Sequence, residues 1–413
     1  MIIPSHRFWC SSGAYLPGHT YTWHIVDWDQ RIWITVTGSE KALPDDDAAI
    51  KILSRHIDQL GPDLHKITVS DDGDIVSVST NPKHNPTMFT HYPRYDPQDM
   101  PNPSCTTLTR PQMEEVDRID RSIDLVRYDD GTGKIQLAVF KYALIYHHLP
   151  QMWNELQVMA ALPRHELIVP VDRIVLDDIG HRVIGFTVPF ISGGSFEDDS
   201  TLPFRFAWLQ QLTSVVDDLN LKFGIVHQDI AGRNLAVDPV TEKIQLFDFE
   251  LAAKIGSAEE SPYRNDVDGV VFTVYEILTR DDHFRTIPHW DQDVKAVEDM
   301  AEWDVKIPIV AGDGGIKKIR SFLAEWAEGR RLKAKNGPVT ASSQLDWPSY
   351  PPQTPIPYIK YPDSDDEDSI KGTIQTYMIR YAKDAMYTGQ HVVRWERPPA
   401  KYLLTNNENQ PPS

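Results

Sequence analysis

The chain has 413 residues, 41% of them hydrophobic and 24% charged, enough to bury a large core in roughly one to three domains. Its formal net charge of −19 disfavours general binding to nucleic acid or to an anionic membrane surface. Two cysteines, Cys10 and Cys105, suit a reducing compartment and form no metal cluster. No apolar run reaches membrane-spanning length, and the first residues lack the pattern of a signal peptide. A soluble cytoplasmic or nuclear protein is expected, with no membrane partner.

Residues 1–80 read as a small α+β unit. Residues 21–26 and 31–36 alternate as strands, and residues 46–60 place Ile50, Ile52, Leu53, Ile57 and Leu60 on the apolar side of a helix. Residues 64–69 and 74–78 flank Asp71-Asp72-Gly73, a hairpin signal. Residues 81–112 carry seven prolines, among them Pro82, Pro93 and Pro111, and read as a linker extended across the surface.

The stretch 116–128 contains no glycine. Gly131-Thr132-Gly133-Lys134 stands between two strand-like runs and reads as a hairpin turn. Leu137-Ala138-Val139-Phe140-Lys141 is a strand ending on a lysine, and residues 151–160 form a helix carrying Glu155. Two further strands are expected over 168–176 and 183–191. A helix then places Trp208, Leu209, Leu212, Val215, Val216 and Leu219 on one face. Next come His227-Gln228-Asp229-Ile230-Ala231-Gly232-Arg233-Asn234, a hairpin of residues 235–237 and 243–247, and Asp248-Phe249-Glu250. Residues 265–278 read as a buried helix beginning near Asp266.

Lys317, Lys318, Arg320, Arg330, Arg331, Lys333 and Lys335 flank a later helix and read as a solvated face. Past residue 335 the chain is rich in proline, with an acidic run over 363–368. Residues 338–368 are expected to be the least ordered long segment. A terminal helix over 370–387 and a strand over 391–397 follow.

The order Lys141, Glu155, His227-x-Asp229-x-x-x-x-Asn234, Asp248-Phe249 resembles the protein-kinase superfamily, over roughly residues 115–330. The texture is nearest to fungal protein-kinase-like proteins. The resemblance implies an α+β, two-lobed kinase-like fold with an upper lobe over 113–192 and a lower lobe over 193–335. The 1–80 unit would be an appendage and residues 336–413 an irregular Pro-rich tail. It implies ATP and Mg²⁺, or Mn²⁺, as cofactors. Lys141 and Glu155 would hold the phosphates, Asp229 would orient the acceptor, and Asn234 and Asp248 would bind metal. Asp266 would brace the catalytic loop.

Four departures qualify this. No glycine-rich loop precedes Lys141. Glu250 replaces the usual glycine, as in choline and ethanolamine kinases, and is a third candidate metal ligand. Gln228 replaces the arginine that receives an activation-loop phosphate, so control by that phosphate is not expected. The segment from Leu251 to Arg264 is short and lacks the motif that builds a peptide platform. Three functions follow: a phosphotransferase acting on a small molecule or an atypical protein acceptor, a pseudokinase or binding module, and a kinase-like scaffold put to another transferase or ligase reaction.

Overall fold

The computed structural model of the protein describes residues 2–14, 18–102, 105–197, 202–335, 341–351 and 381–395, and the fold is mixed α+β. The first unit is a five-stranded sheet in the order β1-β2-β3-β4-β5. It comprises β1 (Phe8–Ala14), β2 (Tyr21–Asp27), β3 (Ile32–Gly38), β4 (Lys66–Val69) and β5 (Ile75–Ser79). Only the β3–β4 pair is parallel, because α1 (Asp46–His56) crosses over between them. Asp45 caps α1 by accepting from the Ala48 N–H at 2.8 Å. Ala49, Ile52 and Leu53 of α1 pack on Ile25, Ile34, Val36 and Ile67. Val26, Trp28 and Trp33 face the other way into the main core, so every residue of β3 is buried. The sequence reading missed β1: Ser11, Ser12 and Gly13 leave it little apolar alternation, and pairing with β2 holds it.

The second sheet runs β6-β10-β11-β9-β8-β7. Its strands are β6 (Thr107–Thr109), β7 (Glu114–Asp120), β8 (Ile123–Asp129), β9 (Ile135–Tyr142), β10 (Arg173–Leu176) and β11 (Val183–Pro189), with α2 (Leu149–Ala161) between β9 and β10. The glycine-free stretch forms the β7–β8 hairpin, and Gly131 and Gly133, both at positive φ, turn β8 into β9. The expected strand over 168–176 is shorter. Pro170 interrupts it, and Ile168 forms only an isolated bridge to Leu246. β9 buries Phe140 and Tyr142 on one face and sets Lys141 on the other. A Cβ at Gly185 would collide with the Lys141 carbonyl oxygen, so β11 can lie against β9 only with glycine there.

The N-terminal unit docks behind this sheet. Arg31 donates to Tyr142 Oη at 3.1 Å and Glu115 at 2.9 Å, and pairs with buried Asp124. Arg118 donates to the Trp28 carbonyl at 2.8 Å. Residues 81–102 differ from the expected surface linker. Met88, Tyr92 and Met100 are buried in the main core, and Tyr92 Oη donates to the Ala143 carbonyl.

The remaining described chain is largely helical: α3 (Phe206–Asp217), α4 (Asp266–Thr279), α5 (Lys295–Glu298) and α6 (Gly315–Lys335). Short strands β12 (Ile225–Val226), β13 (Leu235–Val237), β14 (Ile244–Leu246) and β15 (Ala253–Lys254) lie between α3 and α4. A π-helical turn over Asp218–Phe223 ends at Gly224 in the left-handed conformation. Three of the basic residues of α6 are internal ties rather than a solvated face: Arg320 donates to the carbonyls of Ala301, at 2.8 Å, and Met300. Arg330 pairs with Asp217 and donates to Asn220 at 2.8 Å, and Arg331 bonds Asp268 at 2.7 Å and Glu298 at 2.8 Å. Among the described residues no helix is long and apolar enough to cross a membrane.

The C-terminal expectations need correction where they can be compared. Residues 341–351 are mostly exposed, but anchored. Backbone N–H groups of Ser342, Ser343 and Leu345 donate to the carbonyls of Leu221, Lys222 and Phe223. Trp347, 8% exposed, donates from Nε1 to Asn154 Oδ1 at 3.2 Å, and the Lys254 ammonium lies 4.8 Å over its ring. Residues 338–340, the stretch 352–368 with its acidic run, and the 370–380 part of the expected helix lie outside the described residues. The helix α7 (Ala382–Tyr387) is present. Residues 391–395 form no strand: Trp395 stacks on Tyr142 at 4.7 Å and donates to Tyr92 Oη at 2.9 Å, which fixes the segment by its side chain.

Trp347 therefore joins α2 to the chain after Asp248-Phe249. Trp347→Ala is expected to lower unfolding stability by about 3–5 kcal/mol, read by urea denaturation. It should also speed amide exchange in α2. A loss below ~1 kcal/mol with unchanged exchange would show that the 341–351 strap carries no such role.

Candidate functional site

β9, α2 and the turn after β14 bring three charged side chains together. Lys141 Nζ lies 2.6 Å from Glu155 Oε1 and 2.6 Å from Asp248 Oδ1. The same Glu155 oxygen accepts the Phe249 N–H at 3.1 Å. Burial alone would lower the Lys141 ammonium, but the two carboxylates more than offset it and hold it above its ordinary value. Burial also opposes ionisation of Asp248, yet Lys141, with Arg233 adding, keeps it below the usual carboxylate range. Burial pushes Glu155 up, and Asp248 adds to that. Glu250 is raised by burial and then by Asp248. Its backbone carbonyl accepts from Asn154 Nδ2 at 3.3 Å, as does that of Ala252 at 2.9 Å.

Asp229 lies on the loop before β13. Arg233 Nη2 contacts both of its carboxylate oxygens at 2.7 Å, four residues on. Asn234 Nδ2 donates to the Asp229 carbonyl and to its Oδ2, each at 2.8 Å. His227 is fully buried. Its Nδ1 accepts the Asp229 N–H, so Nε2 carries the proton and donates to the Phe247 carbonyl at 3.1 Å. Its ring meets Phe249 edge-on at 4.7 Å.

Asp266, at the start of α4, fixes this loop. Its carboxylate accepts from the backbone N–H of His227 and of Gln228 and from Asn220 Nδ2, all at 2.8 Å. Gly269 follows because a Cβ there would press to 3.1 Å from Ile230 Cβ. Gln228 and Asp248 both sit at positive φ, 66° and 69°, a backbone cost that a surrounding hydrogen-bond frame must offset.

Gln228 builds part of that frame. Its Nε2 donates to the carbonyls of Leu251 at 2.6 Å and Glu259 at 3.1 Å, and its Oε1 accepts the Ser261 N–H. A neutral amide thus ties down the segment after Glu250 with no added charge. Gln228→Ala is expected to cost about 1–3 kcal/mol and to raise hydrogen exchange across 251–264. Unchanged exchange there would rule out the clamp.

Asn154, Asn220, Arg233 and Trp347 had no role assigned from the sequence. Arg233 had a local signal, four residues beyond Asp229; the other three are joined only by tertiary contact. Among the described residues no group of three or more His, Cys, Asp or Glu side chains is arranged to hold a metal. Compared with known proteins, the sequence matches no family model and no curated protein.

Proposed function

We propose that the protein is a kinase-like, ATP-dependent phosphotransferase of two lobes, with its cleft between Lys141 and Asp248. Its acceptor is a small molecule or an atypical one rather than an ordinary peptide. The observation that carries this reading is Lys141 Nζ held at 2.6 Å from both Glu155 and Asp248, beside a loop where Asp229 and Asn234 are hydrogen-bonded together. Lysine on the third strand of a meander, paired to a glutamate of the next helix, is the arrangement kinases use for phosphates.

The donor set fits Mg²⁺. Asn234 commits its Nδ2 to Asp229, so its amide oxygen is the atom it could offer a cation, and Asp248 engages Lys141 through Oδ1. Both would offer hard oxygen ligands, with Glu250 close by, and Mg²⁺ commonly takes only one or two protein carboxylates, with water and phosphate completing its shell. When bound, the ion would neutralise charge on the phosphates. Lys141 would bind phosphate oxygens. Asp229, steadied by Arg233, would accept the acceptor's hydroxyl proton as the terminal phosphoryl group passes from ATP to that oxygen, ADP leaving with the electron pair of the broken bond.

A second reading, a pseudokinase or binding module, is favoured by the β7–β8 turn. Arg121 Nε donates to the His6 carbonyl at 2.8 Å, and His6 Nδ1 lies 3.3 Å from Asp120. A turn tied down beside Lys141 and lacking glycine is poorly suited to fold over phosphates. Thermal unfolding with ATP, with and without Mg²⁺ or Mn²⁺, separates the two. Ligand at 100 times its Kd adds about 2.7 kcal/mol to the native state. A metal-dependent rise that Lys141→Met abolishes is expected. No rise at millimolar ATP would leave the noncatalytic reading.

A further inference from the structure

Beside Asp229 a cavity of about 150 Å³ opens between residues 262–269 and the loop 285–294. Its carboxylates are already answered. Asp266 accepts three N–H groups, Asp268 pairs with Arg331 at 2.7 Å, and Asp229 is held by Arg233. Arg285 is likewise engaged, by Glu276 at 2.9 Å. Arg264 is different. One of its nitrogens donates to the Gln228 carbonyl at 3.2 Å and lies 3.9 Å from Asp229, and the others meet no partner among the described residues. His289 lines the same space, and burial, then Arg264, lower its pKa, so it is neutral at pH 7 and adds a polar group without charge. Two large aromatic side chains stand at the rim, Tyr263 at 58% and Trp290 at 66% exposure. Exposed aromatics converging with an underused guanidinium beside a carboxylate are the parts of a ligand pocket.

We propose that this cavity receives the acceptor, and that the acceptor is a small hydroxylated ring compound bearing a carboxylate. The ring lies against Trp290 and Tyr263, the anionic group meets Arg264 through the guanidinium fork, and the hydroxyl reaches Asp229. A cavity of this size holds a single six-membered ring. The selection is for negative charge, although the chain as a whole carries a net charge of −19. This assignment rests on the phosphotransferase reading, because it takes Asp229 as the acceptor-side carboxylate.

Three probes of one shape test it by calorimetry on the full chain: 4-hydroxyphenylacetate, its neutral alcohol analogue and tyramine, which replaces the carboxylate by an ammonium. The anion is expected to bind at least about tenfold more tightly than tyramine, the scale of one charge-assisted contact. Arg264→Gln should erase the preference, and Trp290→Ala should weaken all three probes about tenfold. Neither variant should change Mg·ATP binding; Arg264→Gln also gives up the bond to the Gln228 carbonyl, so a small fall in melting temperature is expected there, and none in Trp290→Ala, whose side chain is 66% exposed. Equal affinity for the three probes, no saturable binding of the anion, or unchanged affinities in both variants would overturn the proposal. Anion binding without any Mg·ATP binding would keep the pocket and remove the phosphotransferase reading; the converse would remove the pocket alone.

Discussion

Replacing Asp266 by alanine is expected to destabilise the protein by about 2–5 kcal/mol, the scale for leaving two buried N–H donors without an acceptor. The reason is local. Asp266 is 3% exposed and collects the backbone N–H groups of His227 and Gln228 and the amide of Asn220. Alanine leaves the His227 and Gln228 N–H groups buried without that acceptor, while Asn220 Nδ2 keeps its bond to the Ile225 carbonyl at 2.8 Å; each unmet donor costs about 1–3 kcal/mol before relaxation. Asp266→Asn keeps one oxygen acceptor and the shape, so it should cost less, roughly 1–3 kcal/mol. Urea denaturation of both variants reads the difference. If alanine costs under ~1 kcal/mol, the loop is held by something else. Gln228 should loosen with Asp266, because its backbone N–H is one of the three donors and its positive φ depends on that frame.

The second large effect concerns Asp229. On the proposed chemistry, Asp229→Asn should lower turnover about 10²–10⁴-fold, the usual worth of a positioned general base. It should leave Mg·ATP affinity near that of the parent, because Lys141, Glu155 and Asp248 form their contacts without Asp229. Asp248→Asn should do the reverse to binding. It removes the charge that Lys141 faces at 2.6 Å and one of the proposed metal ligands, so nucleotide affinity falls first. Arg233 supplies a control. It grips both oxygens of Asp229, so Arg233→Ala should lower turnover while sparing affinity. If Asp229→Asn abolishes nucleotide binding and Asp248→Asn does not, the two carboxylates have other roles.

What could be read from the sequence follows from how each contact is encoded. Lys141 and Glu155 were expected as partners only through the order of motifs that resembles the kinase superfamily; taken singly, a lysine at a strand end and a glutamate on a helix announce nothing. Asp266 could be anticipated for the same reason, at the first turn of a strongly apolar helix. The glycine pair 131 and 133 announced its turn through conformational need. Contacts without period or motif were not legible. Arg31 meets Asp124 across 93 positions, with nothing local in either stretch to announce it. Met88, Tyr92 and Met100 are buried at irregular spacing among prolines, so composition alone spoke for a surface linker. Trp347 stands nearly alone in a Ser- and Pro-rich segment, and a single indole against Asn154 outweighs that composition. The Gln228 clamp depends on three backbone groups whose placement exists only in the folded chain.

The central claim is that Lys141, Glu155 and Asp248 form a metal-dependent nucleotide site. Calorimetric titration of ATP into the full chain, with and without Mg²⁺ and repeated on Asp248→Asn and Lys141→Met, tests it most directly. Saturable binding at one site is expected, requiring Mg²⁺ and weakening at least about tenfold in each variant, the loss of one charge-assisted contact. No binding at millimolar ATP with Mg²⁺, or binding that is indifferent to the metal and to both substitutions, would contradict it.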